Sequence, residues 1–250
     1  MRVLILGGTT EASALATRLI DRSDFSPLLS MAGRTSNPRP LPIATRIGGF
    51  GGVDGLVRFL RNERIEAVID ATHPFAAIMS RNAAEACAQI GVPLLALRRP
   101  AWAPQEGDRW IKVASMEEAV RALGDEPRRV FLTVGRLELS SFAAAPQHTY
   151  LVRTIEPIGV ALPVPNVIAV RDRAPFDQEA ERALMERERV EVMVTKNSGG
   201  VATYPKIAAA RSLGLPVVVV ARPGKPCGVE EVATPEAAFQ WLEQRHGSAP

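Results

Sequence analysis

Ile65-Glu66-Ala67-Val68-Ile69 and Val190-Glu191-Val192-Met193-Val194 decide the fold, because the second stretch repeats the first and the residues downstream of each repeat as well. Gly91-Val92-Pro93 answers to Gly214-Leu215-Pro216, and Arg99-Pro100 to Arg222-Pro223. Upstream, Arg2-Val3-Leu4-Ile5 aligns with Arg129-Val130-Phe131-Leu132, which sets Gly8 opposite Gly135 and Glu11 opposite Glu138. Internal repetition constrains architecture before any motif is read, and here the period is a whole domain and not a solenoid unit. Each copy runs strand, loop, helix, turn, strand. That alternation predicts an α/β fold of two Rossmann-like parallel-sheet domains related by duplication, with the active site in the cleft between them.

The elements of the first copy are short. Val3–Leu6, Pro27–Met31, Ala44–Ile47, Val68–Ala71 and Leu94–Leu97 read as strands, and Glu11–Ile20, Val53–Asn62 and Ala76–Ile90 as helices. Val53, Leu56, Val57 and Leu60 fall at helical spacing on one apolar face. Residues 98–112, rich in Pro, Trp and Arg, read as a crossing segment. Ser115 with Glu118 forms a capping box at the start of the next helix, and Thr234 and Ala237 hold the matching places in the second copy. The expected division is 1–112 for a dinucleotide-binding domain and 113–246 for a second domain, with the terminal helix packing back on the first. The Gly247–Pro250 tail is expected to be disordered.

Bulk properties narrow the class. Of 250 residues, 46% are hydrophobic and 23% charged, which is ordinary for a soluble globular chain and gives no membrane span. The net charge of +3 comes from scattered basic residues, so no nucleic-acid stripe is present and a small acidic ligand fits better. Met1-Arg2 leads straight into a strand without a secretory signal, and Cys87 and Cys227 have no metal-like spacing; both point to a reducing, cytoplasmic setting without a metal.

In an open parallel sheet, ligands bind beyond the carboxyl ends of the strands, so the loops there carry the chemistry. Gly7-Gly8-Thr9-Thr10-Glu11 offers two glycines for close backbone approach, two hydroxyls and a helix N-terminus, a cradle for a pyrophosphate. It lacks the third glycine of the dinucleotide fingerprint, and a tight turn without a ligand is the competing reading. Ala32-Gly33-Arg34-Thr35-Ser36 follows the second strand. A sheet that binds NAD commonly carries an acid there; this one has Arg34, Thr35 and Ser36, which suit the 2′-phosphate of NADPH, against the plainer reading of a solvated arginine. Gly48-Gly49-Phe50-Gly51-Gly52 admits close approach to a cofactor at Gly49 and Gly51, or is only a connector. Asp70-Ala71-Thr72-His73-Pro74-Phe75 brings Thr72 and His73 to a strand end, where His73 orients cofactor or substrate, exchanges a proton, or is structural.

The second copy diverges in these loops. Thr195-Lys196-Asn197-Ser198-Gly199-Gly200 combines a cation, two hydrogen-bonding side chains and glycines whose amides can face an anion. Thr133-Val134-Gly135-Arg136 replaces the small polar groups of the first loop with Arg136, which suits a carboxylate better than a pyrophosphate. Tyr204, Lys206 and Arg211 begin and line the following helix.

Taken in order, Gly7-Gly8-Thr9-Thr10-Glu11, Asp70-Ala71-Thr72-His73-Pro74-Phe75, Pro175-Phe176 with Glu179, Thr195-Lys196-Asn197-Ser198-Gly199-Gly200, Lys206-Ile207 with Ala209-Ala210, and Gly214-Leu215-Pro216 resemble the precorrin-6A reductase family of cobalamin biosynthesis. The resemblance spans almost the whole chain and departs from the pattern at Ala174, where Gly is expected. It implies an oxidoreductase that reduces one double bond of a corrin-precursor macrocycle with NADPH. The polycarboxylate tetrapyrrole would be held by Arg136, Arg153, Lys196, Asn197, Ser198, Gly199, Gly200 and Lys206. His73, Lys196 or a bound water would supply the proton, and the product would pass to neighbouring enzymes of the pathway. Two rivals are a short-chain reductase or epimerase and a non-catalytic NADP-binding redox sensor. The first usually carries a Tyr-x-x-x-Lys pair, whereas Tyr150 is followed by Thr154 and Tyr204 by Ala208 at that spacing. The second does not call for so basic a loop in the second copy.

Overall fold

Val3, Leu4 and Ile5 are each fully buried, as are Val68 and Ile69, which is what a continuous apolar run achieves only in the middle of a sheet covered on both faces. A computed structural model describes residues 1–33 and 41–247. Along the chain the elements are β1 (Arg2–Leu6), α1 (Thr10–Leu19), β2 (Ser26–Met31), β3 (Ala44–Ile47), α2 (Gly52–Asn62), β4 (Ala67–Asp70), α3 (Ala77–Ile90) and β5 (Leu94–Leu97). Next come β6 (Arg109–Val113), α4 (Met116–Ala122), β7 (Arg129–Leu132), a 3-10 helix over Arg136–Ala144, β8 (Thr149–Thr154) and β9 (Val167–Arg171). The last are α5 (Gln178–Arg187), β10 (Val192–Lys196), α6 (Pro205–Ser212), β11 (Pro216–Val220), β12 (Glu230–Val232) and α7 (Pro235–Gly247).

The strands form two six-stranded sheets, ordered β12-β5-β4-β1-β2-β3 and β6-β11-β10-β7-β8-β9, and every pairing between neighbours is parallel. The orders are the same once β7 to β11 are read as a second β1 to β5. The sixth strand of each sheet follows the fifth strand of the other in sequence. Accordingly the compact units are Met1–Pro100 with Pro223–Pro250, and Ala101–Arg222. They divide elsewhere than at the expected 112/113 boundary, which falls inside β6. The segment read as a crossing connection ends in that edge strand, whose Arg-Trp-Ile-Lys-Val gives no continuous apolar run because only an inner strand is buried on both faces.

In the first unit the period of two along β1 sorts its side chains. Val3 and Ile5 pack with Leu15 and Leu19 of α1 and Trp241 and Leu242 of α7, while Leu4 and Leu6 pack with Leu56 and Leu60 of α2 and Ala83 and Cys87 of α3. The terminal helix thus belongs to the first unit, and Gly247, expected in the tail, closes it. In the second unit Phe131, Met193, Val217 and Val219 meet Met185 of α5 and Ile207 and Ala210 of α6.

The duplication persists below the level of topology. Glu66 Oε2 accepts from Arg2 N at 2.6 Å, and Glu191 Oε2 from Arg129 N at 2.7 Å. Arg64 and Arg189, which precede the two repeated strands, both have φ of 51°. Gly91 and Gly214, which end α3 and lie just past α6, have φ of 70° and 62° with open space where a Cβ would stand. Alanine at either site would therefore suffer backbone strain alone, so Gly91→Ala and Gly214→Ala should each lower unfolding free energy by about 1 kcal/mol in urea titrations, by similar amounts.

Candidate active site

Each sheet reverses its strand order once, between β1 and β4 in the first unit and between β7 and β10 in the second, and the loops beyond those strands form the switch points. At the first, Gly7 N donates to Ser30 O at 2.8 Å, and a Cβ on Gly7 would stand 2.6 Å from Leu29 Cδ1. Gly8 has φ of 112°, open only to glycine without strain. Thr9 is the N-cap of α1: its Oγ1 accepts from Ala12 N at 3.1 Å and donates to Ala71 O at 2.8 Å, joining the loop after β1 to the loop after β4. The hydroxyl is thereby committed to the fold, which leaves the backbone of the loop and the helix N-terminus as its anion-facing chemistry. Thr10 Oγ1 donates to Glu11 Oε2 at 3.1 Å, and Arg99 pairs with the same carboxylate oxygen at 2.8 Å.

The loop after β4 is fixed by a buried network. Asp70 Oδ1 accepts from Thr72 Oγ1 at 2.6 Å and from Thr72 N at 3.2 Å, while Oδ2 pairs with Arg98 at 2.6 Å; Arg98 also donates to Ser80 Oγ at 2.8 Å. Thr72 is turned inward by this network. His73, half-buried, accepts at Nδ1 from Phe75 N at 3.3 Å, which in the neutral ring leaves Nε2 as the protonated nitrogen. The glycine loop after β3 has an organiser that sequence reading missed. Arg46 donates to Ser30 Oγ, Gly48 O and Gly49 O at 2.8, 2.9 and 3.0 Å, and its guanidinium lies 4.0 Å from the Phe50 ring centre. The one signal was its place in β3, two residues before the glycines. Gly33, Gly48 and Gly51 all have positive φ, while Arg34, Thr35 and Ser36 lie outside the described residues.

At the second switch point the side chains are larger and charged. Lys196 Nζ pairs with Glu138 Oε1 at 2.6 Å, and Lys206 Nζ donates to Thr133 Oγ1 at 2.9 Å. Thr133 Oγ1 in turn donates to Val194 O at 3.1 Å. The Thr195–Gly200 loop is braced from two sides. Asn197 exchanges two hydrogen bonds with the Trp102 backbone, at 2.8 and 3.0 Å, and Arg222 donates to Asn197 O and Ser198 O at 2.9 and 3.0 Å. Trp102 Nε1 closes the brace on Gly200 O at 2.9 Å. Asn197 therefore shapes the loop from behind. Ser198 N donates to Lys196 O at 2.7 Å, and Gly199 and Gly200 have φ of 67° and 79°.

Three of the expected substrate cations differ in how they are presented. Arg136 is exposed at the start of the 3-10 helix. Arg153 is not: it is 6% exposed, paired with Glu181 and laid 3.7 Å from the centre of the Phe176 ring. An arginine with an aromatic face and a carboxylate to hand is well satisfied inside the fold. The expected Pro175-Phe176 motif thus serves as the bed for Arg153; the peptide between Ala174 and Pro175 is cis. Lys206 is 4% exposed. Burial, with Arg153 and Lys196 adding to it and Glu181 opposing, pushes its ammonium down to about 7.

Apolar side chains complete the picture of the second unit. Leu137, Ile155, Val160 and Val201 are between 44% and 90% exposed and follow β7, β8 and β10, all at carboxyl ends. Among the described residues no group of His, Cys, Asp and Glu could hold a metal ion, and no helix is long and apolar enough to cross a membrane.

Two doubly wound sheets of the same strand order, one with a glycine loop at its switch point and one with lysines at the same place, define an α/β protein built from two copies of a Rossmann-like fold. A family model described as Precorrin-6x reductase CbiJ/CobK matches residues 2–243, and the chain belongs to that family. It is 52% identical to a precorrin-6A reductase of a Sinorhizobium species over 96% of this chain and 94% of that one. It is 49% identical to the precorrin-6A reductase of Rhodobacter capsulatus over 100% and 98%. A solved structure of CobK precorrin-6A reductase superposes with a TM-score of 0.93 at 49% identity, covering 100% of this chain and 98% of that one.

The buried lysine makes a prediction about stability. A lysine whose folded value lies near 7 binds its proton less well folded than unfolded, so the unfolded chain holds more protons between about pH 7 and 10 and stability rises across that window. Denaturant titrations should show that rise in the wild type and a smaller one in Lys206→Met.

Proposed function

We propose that the protein is an NADPH-dependent precorrin-6A reductase, which adds hydride and a proton across one double bond of the macrocycle to give precorrin-6B in cobalamin biosynthesis. The observation that carries this reading is the divergence of two otherwise matching switch points. The first offers only backbone, glycine and a helix N-terminus around Gly7–Thr10, and the second offers Arg136, Lys196 and an apolar rim. A pyrophosphate needs the former, and a flat, polycarboxylate ring needs the latter. The precorrin-6A reductases with which the chain shares about half its residues support the choice of substrate.

Bound NADPH supplies the hydride. The first unit fits it: a side chain on Gly7 would collide with Leu29, and one on Gly8 would be strained, so the loop stays low enough for phosphate oxygens to meet backbone amides. Gly7, Gly8, Thr9, Thr10 and Glu11 hold the pyrophosphate, chiefly through the main chain. Arg34, Thr35 and Ser36, with Gly33 ahead of them, hold the 2′-phosphate; that assignment rests on the sequence. Gly49 and Gly51, on either side of Phe50, leave their backbone open to close approach in the loop after β3, and Thr72 and His73 close the site at the end of β4. In the second unit Arg136 and Lys196 pair with substrate carboxylates, and Ser198, Gly199 and Gly200 contribute hydrogen bonds. Asn197 keeps that loop in shape through Trp102. Leu137, Val160 and Val201 offer the ring an apolar bed.

Mixing the purified protein with NADPH and precorrin-6A and following the nicotinamide absorbance tests the reading. Consumption of NADPH with formation of precorrin-6B is expected; no consumption under conditions where NADPH is bound would overturn it. Replacing Arg34 with Ala should weaken NADPH by roughly tenfold or more and leave NADH almost untouched, since one charge-assisted bond to a phosphate contributes about 1.5–3 kcal/mol. An equal loss for both cofactors would remove the 2′-phosphate role.

A further inference from the structure

The duplication supplies a control for the second switch point. Thr133 stands in the second copy where Leu6 stands in the first, by the alignment that sets Arg2 opposite Arg129. Counted back from Gly91 and Gly214, Lys206 stands where Ala83 stands. In the first unit Leu6 and Ala83 lie in one hydrophobic cluster between the sheet and its helices, 2% and 0% exposed. In the second unit the same place holds a hydroxyl and an ammonium, 2.9 Å apart. The fold is therefore satisfied there by a leucine and an alanine, and burying an ammonium in their stead costs desolvation that packing does not require. A buried polar pair that the fold can do without, placed at the carboxyl end of the switch-point strand, is where function is to be sought.

We infer that Lys206 is the proton reservoir of the reduction, passing its ammonium proton by way of the Thr133 hydroxyl to the macrocycle atom that turns basic as hydride arrives. The inference rests on the reading of the protein as an NADPH-dependent precorrin-6A reductase. The balance is simple. Hydride leaves the reduced nicotinamide for one end of the double bond, and the π pair moves to the other end. For this the Thr133 hydroxyl turns from Val194 O, which keeps its bond from Thr133 N at 3.0 Å, toward the ring. That end takes the hydroxyl proton, the threonine oxygen takes a proton from Lys206, and the neutral amine recovers one from solvent between turnovers. The geometry suits each part. Thr133 is only half-buried and bonds to Lys206 and to Val194 O, so it spans the buried ammonium and the strand end. The Lys206 ammonium makes one hydrogen bond, to Thr133, among the described residues, which leaves two N–H groups in reserve. Its charged neighbours are Arg153 on β8, Lys196 on β10 and Glu181 on α5, with the Trp102 ring centre 5.6 Å away. Glu181 Oε2 is buried without a hydrogen-bond partner, an acceptor beside the pair that a water molecule could join to it. Two cations against one carboxylate, in a dry place, favour release of the proton.

Two measurements test the inference. In the cofactor-free protein labelled with 13C at the lysine ε-carbons, the resonance absent from Lys206→Met should titrate near pH 7; a midpoint above 9.5 would overturn the inference. In turnover, wild-type kcat should be level below pH 7 and fall about tenfold per unit above it, because the donor must be protonated. Lys206→Met should lower kcat roughly a hundredfold, at the low end of the usual gain from general acid catalysis, and abolish that limb while leaving NADPH affinity within twofold. Thr133→Val should lower kcat likewise, with the Lys206 resonance still titrating at or below the wild-type midpoint, since the ammonium loses its acceptor. Either variant retaining kcat within threefold, or the limb surviving in Lys206→Met, would assign the proton to bulk water or another group. Wild-type protein that binds NADPH but never oxidises it with precorrin-6A would instead refute the activity itself, whatever Lys206 does in the titration.

Discussion

A strand that is buried on both faces and paired on both edges can meet a ligand only at its end, and that constraint governs each half of this chain. β1 and β4, like β7 and β10, are fixed by parallel neighbours and by helices above and below. Whatever chemistry the chain performs must hang from the loops that leave these strands. The hydrogen bond from Thr9 to Ala71 ties the loops after β1 and β4 together, and that from Thr133 ties the loop after β7 to Val194 of β10.

Much of the architecture was legible in the sequence because inner strands announce themselves. Val3–Leu6 and Ala67–Ile69 are apolar on both faces, and the repeated Gly-x-Pro turns fix where the helices end. β6 and β12 were not legible as strands. They lie at sheet edges, one face and one edge open, so Arg109–Val113 and Glu230–Val232 carry charges that mask the strand pattern. Missing them hid the exchange of sixth strands and put the expected boundary inside β6.

The site was legible in its composition and less so in its orientation. Sequence reading named Arg153, Lys196, Asn197 and Lys206 as groups to hold a polycarboxylate substrate. It could not tell which would face solvent. Arg153 found Glu181 and Phe176, Asn197 found the Trp102 backbone, and Lys206 found Thr133, each a partner distant in sequence. Arg46 escaped notice for the same reason, since its contacts to Ser30 and the Phe50 ring exist only once β2 and β3 pair. Comparing the copies recovers part of this information: a position apolar in one and charged in the other is free of the demands of folding.

The central claim is a division of labour, in which the first copy receives the dinucleotide and the second does not. Hydrogen–deuterium exchange of backbone amides with and without NADPH, in the absence of any tetrapyrrole, tests it most directly. The account predicts slower exchange on addition of NADPH in Gly7–Glu11 and Thr72–Phe75, with Gly135–Glu138 and Thr195–Gly200 unchanged. Protection of Thr195–Gly200 with Gly7–Glu11 left unaltered would contradict it.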